Sequence, residues 1–164
     1  SNIKARLVLV LFRLAHLVSI MPRFVRWLFL PYAIFYRFFV EWVLCVEIPW
    51  KTHIGKDLQL FHGVALVIND RTIVGDNCVL RHSTTIGVAN TSADFSGGAP
   101  VLGNNVDVGS NVVILGNITI GNNVSIGAGS VVVKDIPEGA VVVGNPARVI
   151  RIKSTEEIMS TFAG

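Results

Sequence analysis

Cysteine is scarce: Cys45 and Cys78 are too few for a disulfide framework and lack the spacing of a zinc site, so a reducing compartment fits best. Charge is scarce too. Asp, Glu, Lys and Arg make up 15% of the 164 residues, half the chain is apolar, and the mean hydropathy is +0.59, which excludes a disordered chain. At this length one domain with an appendage is the default. Acidic residues are missing from the first forty positions, which hold Lys4, Arg6, Arg13, Arg23, Arg26 and Arg37; the rest of the chain carries eight basic and eleven acidic residues. The net charge of +3 therefore belongs to the amino-terminal segment, and no nucleic-acid partner is expected.

That segment, residues 1–45, lacks any charge-free run of 18 residues, which argues against a spanning helix. No small-residue cleavage site follows its apolar run, so a signal peptide is not expected either. It reads as helix, broken or kinked at Pro22 and Pro31. At 100° per residue Arg6, Arg13 and His16 share one stripe, and Arg26, Arg37 and Glu41 a second, among Leu, Val, Phe, Trp and Tyr. Two compatible readings follow. The helices pack on one another or on neighbouring subunits, or the basic stripe lies on lipid headgroups with the aromatic face in the acyl boundary.

From residue 46 the chain counts in sixes. Leu102, Val108, Ile114, Ile120, Ile126 and Val132 recur at that step, with glycine following at 103, 109, 121 and 127. Neither a helical period nor plain strand alternation requires this. Earlier hexads are Ile54, Leu60 and Leu66, then Val74, Leu80 and Ile86. The phase slips by two between Leu66 and Val74, and by four beyond two full hexads between Ile86 and Leu102. Each hexad is a short strand and a turn, and three close a triangle, so one coil takes 18 residues and stacked coils pair in parallel. Inward aliphatics form a continuous core column, in which Cys78 is a packing residue and not a nucleophile. His62 and His82 each follow an inward leucine by two residues and are 20 apart, one coil plus the slip. They belong on adjacent coils, one strand spacing apart. His53 reads as an exposed turn residue.

Residues 46–153, ending in "VVVGNPARVI", resemble the hexapeptide-repeat acyltransferases. The resemblance implies an all-β core, a left-handed parallel β-helix working as a homotrimer, with a short helical amino-terminal segment (1–45) and a short carboxy-terminal helix in the tail 154–164. Ser154 to Glu157 is a capping-box pattern that starts that helix. "EIPWKTHIGKDLQLFHG" (47–63) is similar to the serine acetyltransferase segment in which an aspartate precedes the catalytic histidine by fifteen residues. Carried over by position, His62 is the general base and Glu47 its orienting carboxylate. An imidazole near its working pKa removes the proton of a hydroxyl as the oxygen attacks a thioester, and a carboxylate fixes its tautomer. Backbone amides near Gly87 would stabilise the oxyanion, and His82 is a neighbour of the site.

Two departures from the serine enzymes bear on the acceptor. Phe61 replaces the aspartate before the histidine, and the stretch "VANTSADFSGGAP" (88–100) holds no Arg, Lys or His to read a carboxylate. A free amino acid would be poorly matched in charge, whereas Phe61 can stack on a sugar face. The "EWVLCVEIP" and "IVGDNC" stretches and the short basic-aromatic amino terminus look like the colanic-acid and capsule O-acetyltransferases. The resemblance implies a cytoplasmic enzyme, peripheral at the inner membrane face, that acetylates a sugar or lipid-linked oligosaccharide; serine O-acetylation is the alternative. Acetyl-CoA is the implied donor, with no metal. Ser110 and Ala128 match the turns that hold the pantetheine arm, and Lys134, Arg148 and Arg151, with Lys153, are candidates for its phosphates.

Overall fold

The computed structural model describes residues 3–89 and 98–161. Three helices lead: α1 (Ile3–Ile20), α2 (Arg23–Leu28) and α3 (Leu30–Tyr36), the last running into a π-helical turn, Arg37–Val43. Pro22 caps α2 and Pro31 lies in the first turn of α3, where a missing N–H costs nothing.

Among the described residues fifteen short strands follow, wound around a three-sided prism. The first face stacks β1 (Val46–Glu47), β4 (Leu66–Ile68), β7 (Thr85–Gly87), β10 (Val113–Leu115) and β13 (Val131–Val132). The second stacks β2 (His53–Ile54), β5 (Ile73–Val74), β8 (Val101–Leu102) and β11 (Thr119–Ile120). The third stacks β3 (Gln59–Phe61), β6 (Val79–Arg81), β9 (Asp107–Val108), β12 (Ser125–Ile126) and β14 (Ala140–Val143). These pairings are all parallel; β15 (Arg148–Ile152) returns antiparallel along β14. Every parallel strand turns at least one aliphatic side chain inward, so Leu60, Leu80, Val108 and Val142 line the third face while Cys78 and Val106 fill the gaps between; β15 is exposed throughout. Burial pushes the Cys78 thiol up, as expected of a packing residue.

Turn chemistry explains one edge of the prism. Asp76, Asn104 and Asn122 side-chain oxygens accept from the backbone N–H of Lys56, Asp76 and Asn104 at 2.7–2.9 Å, one coil to the next. The residue after each bend, such as Asn77, Asn105 or Asn123, takes a positive φ of 54–60°, which asparagine tolerates.

The first phase slip is placed differently from the sequence reading, and the second falls where it was read, between Ile86 and Leu102. Val46 pairs with Leu66 and Ile68 with Ile86, so the two extra residues lie before Leu66, at the bend 62–65, and not after it. Leu66 and Ile68 both point inward, and the hexad pattern alone did not say which one kept the count. The second irregularity is one large insertion. Ile73 pairs with Val101, 28 residues on, where an unbroken coil takes 18; the ten extra residues fall between β7 and β8, and residues 90–97 of that stretch lie outside the described residues.

A solenoid has an open end, and the first coil exposes carbonyls with no strand beneath them. The amino-terminal helices close it. Ala5, Val8, Phe12 and Ala15 of α1 join the core, as do Tyr36 and Val40. Arg13 donates from Nη1 to the Ile54 carbonyl at 2.7 Å and from Nη2 to that of Gly55. His16 Nδ1 reaches the Trp50 carbonyl at 2.8 Å, and Tyr36 donates to that of Ile48 at 2.7 Å. Arg13 and His16 thus face the prism, as the packing reading of their stripe has it, while Arg6 of the same stripe is exposed. Ile3, Leu7, Val10, Leu14 and Leu17 of α1 are also exposed, as are Phe24, Trp27, Leu28, Phe38 and Trp42. Among the described residues no helix is long and apolar enough to cross a membrane.

The carboxy terminus follows the capping-box expectation. In α4 (Thr155–Thr161) Ser154 Oγ accepts from the Glu157 N–H at 3.2 Å, and Glu157 Oε2 accepts from that of Ser154 at 2.9 Å.

Candidate active site

The edge between the third and first faces carries the two histidines. β3 and β6 align Phe61 with Arg81, so His62 and His82 leave adjacent strands side by side. Their ring centroids are 5.9 Å apart and the planes are nearly perpendicular, at 77°. His62 sits on the two-residue bulge with φ +69°, and Gly63 follows at +61°. The His62 carbonyl accepts from Val64 N–H at 2.8 Å, a three-residue turn with Gly63 at its centre. Among the described residues eight other non-glycine residues, from Cys45 to Asn123, take the same left-handed conformation, in which histidine is one of the enriched residue types. The bulge pushes the imidazole out of the prism, where it is exposed, while His82 is half-buried with Nδ1 shielded and without a partner among the described residues.

The same edge continues through later coils. The Asn111 N–H donates to the His82 carbonyl at 3.1 Å, and the Gly129 N–H to that of Ser110 at 2.9 Å. His62, His82, Ser110 and Ala128 therefore form one column, and three strand spacings of about 4.8 Å put roughly 14 Å between its ends. Gly109 lets the coils approach; a Cβ there would lie 2.8 Å from Ala128 Cα.

Glu47 is elsewhere. It lies beside Val67 on the first face, beyond the bend, and no hydrogen bond or ion pair joins it to His62. It lines a groove of about 660 Å³ between the first face and the α3–π-turn segment, together with Glu41, Asp70, Gly87 and Trp50. Gly87 lines the same groove as Glu47. Burial pushes the Tyr36 phenol, also in that wall, well above its usual value, with the Glu41 charge adding to the shift.

Phe61 is exposed next to His62, and the Arg81 guanidinium lies 5.6 Å above its ring, held there by Asp107 and the Val108 carbonyl. One ring face is therefore already taken. Among the phosphate candidates, Arg151 is clamped by Glu157 at 2.8 Å and Lys153 donates to the Asn123 carbonyl at 2.8 Å, whereas Lys134 and Arg148 are exposed. The clamp on Arg151 and the end-capping by Arg13 were not foreseen; the capping box predicted α4 but did not say which cation would join it.

A histidine at a two-residue bulge, above a ladder of small turn residues on a parallel prism, defines a class: the β-helical acyltransferases. Residues 99–134 match the family model described as bacterial transferase hexapeptide (six repeats). Over 123 residues, 75% of this chain and 74% of the relative, the sequence is 46% identical to WcaB of Escherichia coli K12, assigned as a colanic acid biosynthesis acetyltransferase. It is 45% identical over 105 residues to a serine acetyltransferase of Synechococcus elongatus, covering 64% of this chain and 42% of that one. The serine acetyltransferase of Brucella abortus, solved with coenzyme A, superposes with a TM-score of 0.80 at 29% identity over 93% of this chain and 58% of its own. This chain thus spans little more than half the length of the solved serine enzymes. The chain belongs to the hexapeptide-repeat transferase family with the left-handed β-helix fold, and is an acetyl-CoA-dependent acetyltransferase.

Proposed function

We propose that the enzyme works as a trimer and transfers acetyl from acetyl-CoA to a hydroxyl of a sugar in exopolysaccharide or capsule assembly, with His62 as general base. The observation that carries this reading is the edge column: an exposed imidazole at one end and small turn residues, Ser110 and Ala128, leading to it along the direction a pantetheine arm would take. His62 takes the hydroxyl proton as the sugar oxygen bonds to the thioester carbon. The tetrahedral oxyanion collapses, the C–S bond breaks, and the imidazolium proton passes to the departing sulfur, leaving an acetyl ester and CoA. The preference for a sugar rests on Phe61 in place of a carboxylate beside the base, on the absence of cationic side chains in 88–100, and on the likeness to WcaB.

No hydrogen bond joins Glu47 to His62 among the described residues; His62 carries the proposal and Glu47 is the second position to test. The apolar outer side of the amino-terminal helices supports a peripheral position on a membrane, near a lipid-linked acceptor. Acceptor choice is tested by following CoA release with serine and with lipid-linked or free oligosaccharide. Turnover with the oligosaccharide and none above background with serine is expected. Saturable turnover of serine overturns the sugar assignment.

A further inference from the structure

Phe61 and Arg81 pair across β3 and β6, each one residue before a histidine of the site edge. Asp107 comes from β9, on the next coil. The Arg81 guanidinium joins all three coils. It covers one face of the Phe61 ring at 5.6 Å, and its Nη1 donates to Asp107 Oδ1 and, at 2.9 Å, to the Val108 carbonyl. Proton transfer by His62 does not by itself require such a stack.

The donors left over define what the stack can hold. Nη1 uses its N–H groups on Asp107 and Val108. Nε and Nη2 make no hydrogen bond among the described residues, and neither is shielded from solvent. Together they are one edge of the planar fork, the edge that binds two oxygens side by side. The ring stack and the Nη1 bonds hold the plane in place, so little side-chain freedom remains to be lost on binding. Asp107 keeps its second oxygen, Oδ2, unpaired among the described residues, on a side chain 47% exposed. Phe61 keeps part of its apolar ring in solvent. Donors, an acceptor and an apolar surface thus lie side by side, and the charges of Arg81 and Asp107 offset each other.

We propose that Phe61, Arg81 and Asp107 form the wall that reads the acceptor beside the base. The Nε–Nη2 edge of Arg81 donates to two neighbouring hydroxyl oxygens of a neutral pyranose, Asp107 Oδ2 accepts from a third hydroxyl, and the C–H face of the sugar covers Phe61. An acidic sugar would bring its carboxylate against Asp107. An amino acid would pair its two charges here but is too short to cover Phe61; a pyranose ring does both. This rests on the sugar O-acetyltransferase reading above, and its test reads binding at Arg81, so it can fail while acetyl transfer to a sugar stands.

The experiment titrates the full chain with the methyl glycosides of glucose, galactose and mannose, with glucuronate and with serine, following the Arg81 Nε–H and His62 Cε1–H resonances by NMR. At least one neutral glycoside is expected to shift both resonances saturably. Arg81→Met, and Arg81→Lys, which keeps the charge without the fork, are each expected to raise its half-saturation concentration, read at His62, by about tenfold or more, the size of a hydrogen bond to a charged group. Asp107→Ala, at a half-exposed position, is expected to raise it by about threefold or more and serves if the Arg81 variants do not fold. An Arg81 resonance that none of the glycosides moves, unchanged half-saturation in the folded variants, or parent affinity in Arg81→Lys overturns the proposal. So does tighter binding of glucuronate than of every glycoside, which would assign the edge to an anion, or a saturable shift with serine, which would assign it to an amino acid.

Discussion

Replacing Arg13 with methionine separates two accounts of the amino-terminal helices. Methionine keeps much of the stem's packing and removes the guanidinium, which donates to the carbonyls of Ile54 and Gly55 on the open edge of the first coil. A hydrogen bond from a charged donor is worth about 1.5–3 kcal/mol net. The site is part-buried, and water can partly replace the donor, so the lower end applies to each of the two bonds. The expected loss is about 2–4 kcal/mol, a large fraction of a typical domain's stability. Urea unfolding followed by tryptophan fluorescence reads the total, and amide exchange reads its place: α1 is expected to lose protection before the prism does. Arg6→Met, at an exposed position of the same helix, is expected to stay within about 0.5 kcal/mol of the parent. An Arg13→Met protein as stable as the parent, with weakened vesicle binding instead, would refute the end-cap and return this side chain to a lipid-facing role.

Other outcomes follow from single contacts. Gly109→Ala sets a Cβ 2.8 Å from Ala128 Cα, backbone against backbone, and is expected to cost about 1–3 kcal/mol in thermal unfolding and to weaken CoA binding along the edge. A thiol reagent should label exposed Cys45 in the folded protein and reach Cys78, buried and with its thiol pKa raised by burial, only on unfolding. The hydrogen bond from Arg151 holds the Glu157 carboxyl below its ordinary range, with the Ser154 N–H adding to it. A folded-state pKa below the unfolded one means stability present above the ordinary glutamate value and lost as pH falls through the lowered one. Amide exchange of α4 should therefore quicken selectively as the solution is acidified through that window, and Glu157→Gln should abolish the pH dependence. A helix that keeps its protection there would contradict the pairing.

What the amino-acid pattern revealed was whatever repeats. A step of six is a local property, and it is enough to place His62 beside His82, since adjacency on neighbouring coils follows from counting. Leu66 and Ile68 show where counting fails. Both are aliphatic, two apart and inward, so the slip could be assigned to either side of them, and only strand pairing puts it at the bend that bears His62. Arg13 and His16 show a different limit. Periodicity says that they share a stripe, but not that an open coil beneath offers unpaired carbonyls to hold them. Glu47 was joined to His62 by a family's spacing; strand pairing sets Glu47 beside Val67, and no hydrogen bond between Glu47 and His62 is seen among the described residues.

The central claim is that one imidazole, displaced outward by a two-residue bulge, takes the acceptor's proton. His62→Ala removes it at an exposed position, so fold and CoA affinity should be unchanged by circular dichroism and calorimetry. Its turnover with acetyl-CoA and a sugar acceptor should fall by roughly 10²–10⁴. A folded His62→Ala enzyme that binds CoA and acetylates at the parent rate would contradict it.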